Sequence, residues 1–379
     1  MAFTDSDLDL AAPLAARAVL HGWNPAETRT GAALSARAGL PDAQNLALVG
    51  GLVRAGLAEH CVDGLRRTRR AVRMFVADLG GTKLHAAIVD EAGTVLAERR
   101  EPTADGVQSV IDQITALRND LAAACATPAA AIASAAIGVP GAVHPRTGRI
   151  SLAPNIAGLD AVDLASELER RFGHGVRIEN DVNLAALGES ADGCARGVLT
   201  FAFVSLGTGI GMGLVLDGRL VRGHRGMAGE IALLPVAAGD AVGRAADEGS
   251  ILERAIGSNG ILCAARAAGP VRAETVEQLF AEARHGSPAA RAAIAATSDT
   301  LFDALMAVRA VVDPELVVLG GSIGLQAEIA DRVASRAESH ADPLIVRTST
   351  LGPYAVLAGA SLAALSALLA PARERRRGD

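Results

Sequence analysis

The sequence predicts an α/β fold of two duplicated lobes, preceded by a mainly helical module over residues 1–72. Two hairpin motifs predict the duplication. Phe75-Val-Ala-Asp78-Leu-Gly80-Gly81-Thr82-Lys83 leads into an apolar run that ends at Asp90. Phe203-Val-Ser205-Leu-Gly207-Thr208-Gly209 leads into one that ends at Asp217. Each opens on Phe-Val, turns through Gly and Thr, and returns through an apolar strand. The second copy has no acid matching Asp78. Charge predicts the separate module: residues 1–73 hold nine Arg against seven Asp/Glu, a net of +2, and the remainder is net −8.

The N-terminal elements follow from periodicity and breakers. Leu14, Ala15, Ala18 and Val19 form one apolar helical face, which Trp23-Asn-Pro25 ends. Thr30 or Thr28 caps a second helix through Leu34 and Ala38. Gly39-Leu-Pro41 turns the chain, and Asp42 caps a third helix bearing Leu46, Val49, Leu52 and Val53. This order resembles a winged helix-turn-helix, whose helix after the turn enters the major groove of DNA. The resemblance makes Gln44 and Asn45, exposed at the start of that helix, candidate base readers. It makes Arg66, Arg67, Arg69 and Arg70 a phosphate-binding wing. The helix has no Arg or Lys in its first two turns, and Gly50-Gly51 costs it about 1 kcal/mol per glycine relative to alanine.

In the larger part, glycines at 80 and 81 let a phosphate reach backbone N–H groups. Thr82 adds a hydroxyl, Lys83 adds charge, and Asp78 can hold Mg²⁺ through water. Val107, Val110, Ile111, Ile114, Leu117 and Leu121 keep helical spacing. Ile132 to Ile137 reads as a strand leading into Gly138-Val-Pro-Gly141. Val176 to Glu179 reads as a strand ending at Asn180-Asp181, where a helix opens. A carboxylate there can take a proton from an attacking hydroxyl, or it can be an ordinary N-cap. Leu316 to Leu319 reads as a buried strand before Gly320-Gly321, and Ala355 to Leu369 as a closing helix.

The duplicated Gly/Thr turns resemble the phosphate clamp of the actin-like ATPase superfamily (a ribonuclease H-like, two-lobed fold), which includes sugar kinases. The motif order narrows the resemblance to the ROK family of repressors, open reading frames and kinases. It rests on Asp78-Leu-Gly-Gly-Thr-Lys83, Gly138-Val-Pro-Gly141, Pro154-Asn155, Glu179-Asn180-Asp181-Val-Asn183 and Gly207-Thr-Gly-Ile-Gly211, with Gly226-Met-Ala-Gly-Glu230 and Asp313 to Gly321 completing it. The resemblance implies lobes at 73–195 and 196–372. It implies Asp181 as catalytic base and sugar contacts from Gly141, Asn155, Asn180, Glu230 and Glu253. It also implies ATP with Mg²⁺ at Asp78, Gly80, Gly81, Thr82, Lys83, Gly207, Thr208 and Gly209, adenosine at Gly320 and Gly321, and a homodimer or tetramer. One family feature is missing. Leu233 stands where the family has a zinc-site His, and there is no Cys between Cys194 and Cys263, so no structural zinc is expected.

Composition agrees with a cytoplasmic protein. No run reaches the roughly 18 uninterrupted apolar residues of a membrane span, and Asp5, Asp7 and Asp9 oppose a secretory signal. The reading adopted is a sugar-responsive transcriptional regulator that keeps ATP binding, with a sugar effector and operator DNA as partners. The alternatives are an ATP-dependent, glucokinase-like hexose kinase with a vestigial module, or a pseudo-kinase.

Overall fold

The computed structural model describes all residues except 1–7, 10, 22, 26, 41, 69–70, 154–155, 236–249 and 371–379. The N-terminal module comprises β1 (Leu8–Asp9), α1 (Ala11–Leu20), β2 (Thr28–Arg29), α2 (Gly31–Ala38), α3 (Asp42–Arg54), β3 (Ala58–Cys61) and β4 (Gly64–Arg67). β4 pairs antiparallel with both β3 and β2. The Thr30 hydroxyl caps α2 by accepting from Ala33 N at 3.2 Å, and Gly39 ends that helix in the left-handed region. Trp23, 1% exposed, anchors the module's core.

The register of α3 differs from the expected one. Leu48 and Leu52 are buried, whereas Leu46 is 75% exposed and Asn45 only 6% exposed. The expected face placed Leu46 inside and Asn45 outside, about a quarter turn away. The cause is packing: α3 lies against α1, α2 and the C-terminal helix. At Gly51 the absence of a side chain lets the backbone of Leu369 come close, and Arg54 donates to the Leu369 carbonyl at 3.1 Å. The mid-helix glycine that looked costly in sequence is a packing contact.

The chain then forms β5 (Met74–Leu79), β6 (Lys83–Val89), β7 (Val95–Pro102), α4 (Val107–Ala124), β8 (Ser134–Val139), β9 (Ala142–Val143), β10 (Ile150–Ser151), α5 (Leu164–Phe172), β11 (Val176–Asn180) and α6 (Asp181–Asp192). Beyond these lie β12 (Phe201–Leu206), β13 (Ile210–Leu216), β14 (Arg219–Val221), α7 (Ile251–Ile256), α8 (Ser258–Ala268), α9 (Val276–Arg284), α10 (Pro288–Val312), β15 (Leu316–Gly320), α11 (Gly321–Gly324), α12 (Ala327–Glu338), β16 (Val346–Thr348) and α13 (Ala355–Leu369).

These elements fall into two compact units. The first holds residues 1–191, 218–227 and 354–379, and the second holds 192–217 and 228–353. The expected lobe boundary at 195 left the closing helix in the second lobe. It belongs to the first unit, because its apolar surface is covered by β5 and β8. The five-stranded sheet of the first unit has the order β11-β8-β5-β6-β7, with β5–β6 and β6–β7 antiparallel and β8 and β11 parallel to β5. In the second unit, β12–β13 is antiparallel, and β15 and β16 run parallel to β12 in the order β13-β12-β15-β16. The shared order, with a Gly/Thr turn in each antiparallel pair, is the duplication read from sequence.

One face of the first sheet packs on α4 and α5 through Phe75, Ala77, Leu79, Ile114, Leu117 and Leu168. The other face carries α13. By length and composition, Gly352–Leu369 passes as a membrane span, and this helix is apolar all round because sheet and helices surround it. It also comes close to the backbone of α6. A Cβ on Gly359 would run into the Leu184 carbonyl, and one on Gly188 into the Ala355 carbonyl. Both obstacles are backbone and cannot swing aside. Gly359→Val is therefore expected to cost about 1–3 kcal/mol or more, seen as a lower urea midpoint. A midpoint equal to wild type would mean the two helices are not held this tightly.

Candidate functional site

Asp78 sits near the end of β5, facing His85 on β6 in the antiparallel register, with Arg100 of β7 opposite His85. The three therefore form a row across the sheet. Asp78 is half-buried, and its carboxyl is pushed from an ordinary 3.8 up to about 7. Burial is the main cause. The negative charge of Asp181 adds to it, and Arg100 opposes it. The effect of Asp181 on Asp78 brings the two acids singled out in sequence into one site. His85 Nε2 lies 2.8 Å from Glu98, and burial holds its pKa below the ordinary value despite that carboxylate. Tyr354 donates to Glu98 at 3.1 Å, and Arg100 lies over the Tyr354 ring at 5.0 Å. Sequence reading missed His85, Glu98, Arg100 and Tyr354. Three of them lie on β6 and β7, where alternation placed them on the Asp78 face.

The first Gly/Thr turn is exposed at Gly81, Thr82 and Lys83. It is closed by Gly80 N donating to Lys83 O at 2.9 Å, and Thr103 braces it by donating from its hydroxyl to Gly80 O at 2.7 Å. A Cβ on Gly80 would meet only the Lys83 carbonyl, at 3.1 Å, and the backbone is not left-handed there. The turn's own geometry does not demand this glycine. Its missing side chain instead leaves open the approach to the backbone.

At the β11–α6 junction the capping role falls to Asn180. Its side-chain oxygen accepts from Asn183 N at 2.9 Å, and its amide donates to Gly141 O at 3.0 Å. Asp181 is the first residue of α6, with its carboxylate accepting from Val182 N at 2.8 Å. Behind this junction Glu179 is buried. It accepts from Asn180 N at 3.0 Å and Asn183 Nδ2 at 2.9 Å, and its second oxygen pairs with Arg222 Nε at 2.5 Å. Burial pushes the Glu179 carboxyl up, but Arg222, Asn183 and Arg177 outweigh it and leave the group below its ordinary value. Asn155 lies outside the described residues.

The second unit carries the other turn. Gly207 N donates to Gly209 O at 2.9 Å, and Ser258 at the start of α8 donates from its amide to the Gly207 and Thr208 carbonyls. Glu253 accepts from Ile210 N at 3.2 Å, and a Cβ on Gly209 would collide with its carboxylate. Glu230 has its pKa raised, first by burial and then by the charge of Glu253, so these two predicted sugar ligands share one neighbourhood. Gly320 packs on the Phe203 ring, and Gly207 lies next to Ser322. Leu233, in the expected histidine's place, is exposed, and no cluster of three His, Cys, Asp or Glu suited to a metal occurs among the described residues.

The N-terminal candidates divide. Gln44 and Arg66 are exposed, with Arg66 paired to Glu59 at 2.8 Å. Asn45 is buried and does not present its amide to solvent. Arg67 is turned inward, donating to the Leu20 and Trp23 carbonyls and pairing with Glu91 at 2.5 Å. Alternation along β4 explains the split between Arg66 and Arg67. Arg69 and Arg70 lie outside the described residues.

A family model described as the ROK family matches residues 75–365. The bifunctional enzyme NanE/NanK of Brucella suis biovar 1 is 32% identical over 267 residues, which is 69% of this chain and 47% of that protein; the chain spans about half the length of this relative. A solved ROK hexokinase from Thermus thermophilus aligns with 77% of this chain and 98% of its own, at 28% identity and a TM-score of 0.63. A ROK family transcriptional regulator, a homolog of the E. coli MLC protein, aligns with 95% of this chain and 98% of its own. Its TM-score is 0.74 at 23% identity, a likeness of fold alone.

Proposed function

We propose, from the premise that this chain belongs to the ROK family, that it is a sugar-responsive transcriptional regulator whose sugar-kinase-like domain binds ATP with Mg²⁺. The observation that carries the regulator reading is the N-terminal module. The fold likeness to the regulator extends over it, to 95% of the chain, while that to the hexokinase stops at 77%. The three helices and the β3–β4 hairpin serve as a winged helix-turn-helix, with α3 for the major groove and the hairpin as wing.

DNA affinity is expected to depend on Arg66, Arg69 and Arg70. Each phosphate neutralised adds a slope of about −0.9 to log K against log salt, so replacing all three by Ala flattens the slope by up to about three such steps. Arg67→Ala is expected to lower stability by about 2 kcal/mol instead, since it strands Glu91 and two carbonyls. Anisotropy titrations against the chain's own upstream DNA at several salt concentrations test this. Absence of binding at low salt by folded protein, with and without sugars, moves the assignment to a kinase or scaffold.

The donor set fits a nucleotide with Mg²⁺. Asp78 supplies a carboxylate whose proton a divalent cation would displace, and the backbone at Gly80 is open to approach. ATP with Mg²⁺ supplies the phosphoryl donor and neutralises its charge. Gly80 to Thr82 and Gly207 to Gly209 offer N–H and hydroxyl donors to phosphates, Gly320 and Gly321 meet the adenosine, and Lys83 adds positive charge. Gly80→Val is expected to weaken ATP binding by at least about tenfold in calorimetry; equal affinity in both proteins removes the assignment. The second reading, a hexose kinase, is favoured by the nearness of Asp181 to Asp78. In it Asp181 accepts the proton of the attacking sugar hydroxyl, while Gly141, Asn155, Asn180, Glu230 and Glu253 position the sugar. Coupled ATP turnover across a hexose panel tests it.

A further inference from the structure

A cavity of about 350 Å³ lies within the first unit, beside β11 at the free edge of the sheet. That volume falls in the range of about 300–1,000 Å³ typical of small-molecule sites. Neither Asp78, Asp181 nor the Gly/Thr turn lines it. Its walls come from the β9–β10 hairpin, the first turns of α5, β11, Arg222 and the end of α13. Three arginines line it, Arg146, Arg177 and Arg222, together with Asp163 at the cap of α5 and Ser166 and Glu169 within that helix.

The charges balance, three Arg against Asp163, Glu169 and Glu179, so the lining is not a simple sink for anions. Its acids are partly committed. Asp163 caps α5, accepting from Ser166 N at 3.0 Å, Glu169 accepts from Val176 N at 3.0 Å, and Glu179 pairs with Arg222. Carboxylates already held by N–H donors keep lone pairs for ligand hydroxyls. Guanidiniums are the groups best suited to bidentate recognition of phosphate or carboxylate. Arg146 is exposed on the hairpin loop; its amide donates to His144 Nδ1 at 3.2 Å, and its guanidinium makes no hydrogen bond or ion pair among the described residues.

We propose that this cavity is a second ligand site, separate from the Asp78–Asp181 site, for a sugar bearing an anionic group, either a phosphate or a carboxylate. The wall formed by Arg222 and Glu179 connects it to the first site, because Glu179 also holds Asn180 N and Asn183 Nδ2 where Asp181 begins α6. Another wall, Leu368, adjoins the Leu369 carbonyl that receives Arg54 of α3. An occupant therefore touches supports of both the acidic site and the N-terminal module, as an effector requires.

The test is calorimetry on the full chain with glucose 6-phosphate, gluconate, glucuronate, glucose and inorganic phosphate. An anionic sugar is expected to saturate below about 1 mM, and the arm that binds tells phosphate from carboxylate. Arg146→Ala is expected to weaken that binding by at least about tenfold, with unchanged melting temperature and unchanged ATP affinity. Asp181→Asn is expected to leave it intact. The proposal is overturned if no anionic sugar saturates, or if inorganic phosphate binds as tightly as the best of them. It is equally overturned if Arg146→Ala and Arg177→Gln both bind like wild type, or if Asp181→Asn abolishes binding. ATP binding at the Gly80 turn is read in the same samples, so failure here is distinguishable from failure of the nucleotide assignment.

Discussion

Asp181→Asn is expected to reduce any hexose phosphorylation by about 10²- to 10⁴-fold, the usual contribution of a general base. The amide keeps the shape and can still accept from Val182 N, but it cannot take a proton. Helix stability is not expected to fall, because the cap of α6 is Asn180, through its bond from Asn183 N. Stability is expected to rise slightly, since a negative charge near Asp78 is removed. Rate and stability thus move in opposite directions, which a capping role does not predict. Near wild-type turnover in a hexose-coupled assay would return Asp181 to a structural role.

The second large effect concerns Asp78 and pH. Its carboxyl titrates at about 7 in the folded protein, against 3.8 ordinarily. Between these values the folded state holds a proton that the unfolded state has released. The stability from the protonated group is therefore complete below about pH 4 and is lost as pH rises through about 7. At about 1.4 kcal/mol per pH unit the whole span approaches about 4 kcal/mol, an upper figure because Asp78 retains some solvent contact. Asp78→Asn is expected to flatten this part of the profile and to raise stability at pH 8. Binding of Mg²⁺ with ATP should show the reverse trend, strengthening as pH rises through about 7, because the cation competes with the proton. Urea midpoints from pH 5 to pH 8, for both proteins without nucleotide, provide the check. Parallel profiles for Asp78→Asn and wild type would show that Asp78 is not the group responsible.

Much of the molecule was legible in the linear chain. The duplicated hairpins, the strand ending at Asn180 and the closing helix all rest on local signals: glycine turns, apolar runs and helical spacing. Local signals are short-range physics, so one sequence carries them. The family followed from the order of motifs, which needs no geometry. Three features could not be read that way. The face of α3 was misplaced because Gly51 meets Leu369, more than 300 residues away in sequence, and no periodicity records that contact. Arg66 and Arg67 looked alike as neighbours in a basic run, but strand alternation gives one to solvent and the other to Glu91. Asp78 and Asp181 each had an assigned role, yet their mutual charge effect depends on β8 lying between β5 and β11.

The sequence by itself therefore determined which elements form and which residue types carry chemistry, because backbone preference and periodicity act over a few residues. The tertiary structure alone decided that Asn180 rather than Asp181 caps α6 and that the charge of Asp181 acts on Asp78, and it also decided where a cavity lined by three arginines opens. Those outcomes depend on desolvation and charge between residues far apart in the chain, and such forces act only once strands and helices have been brought into register.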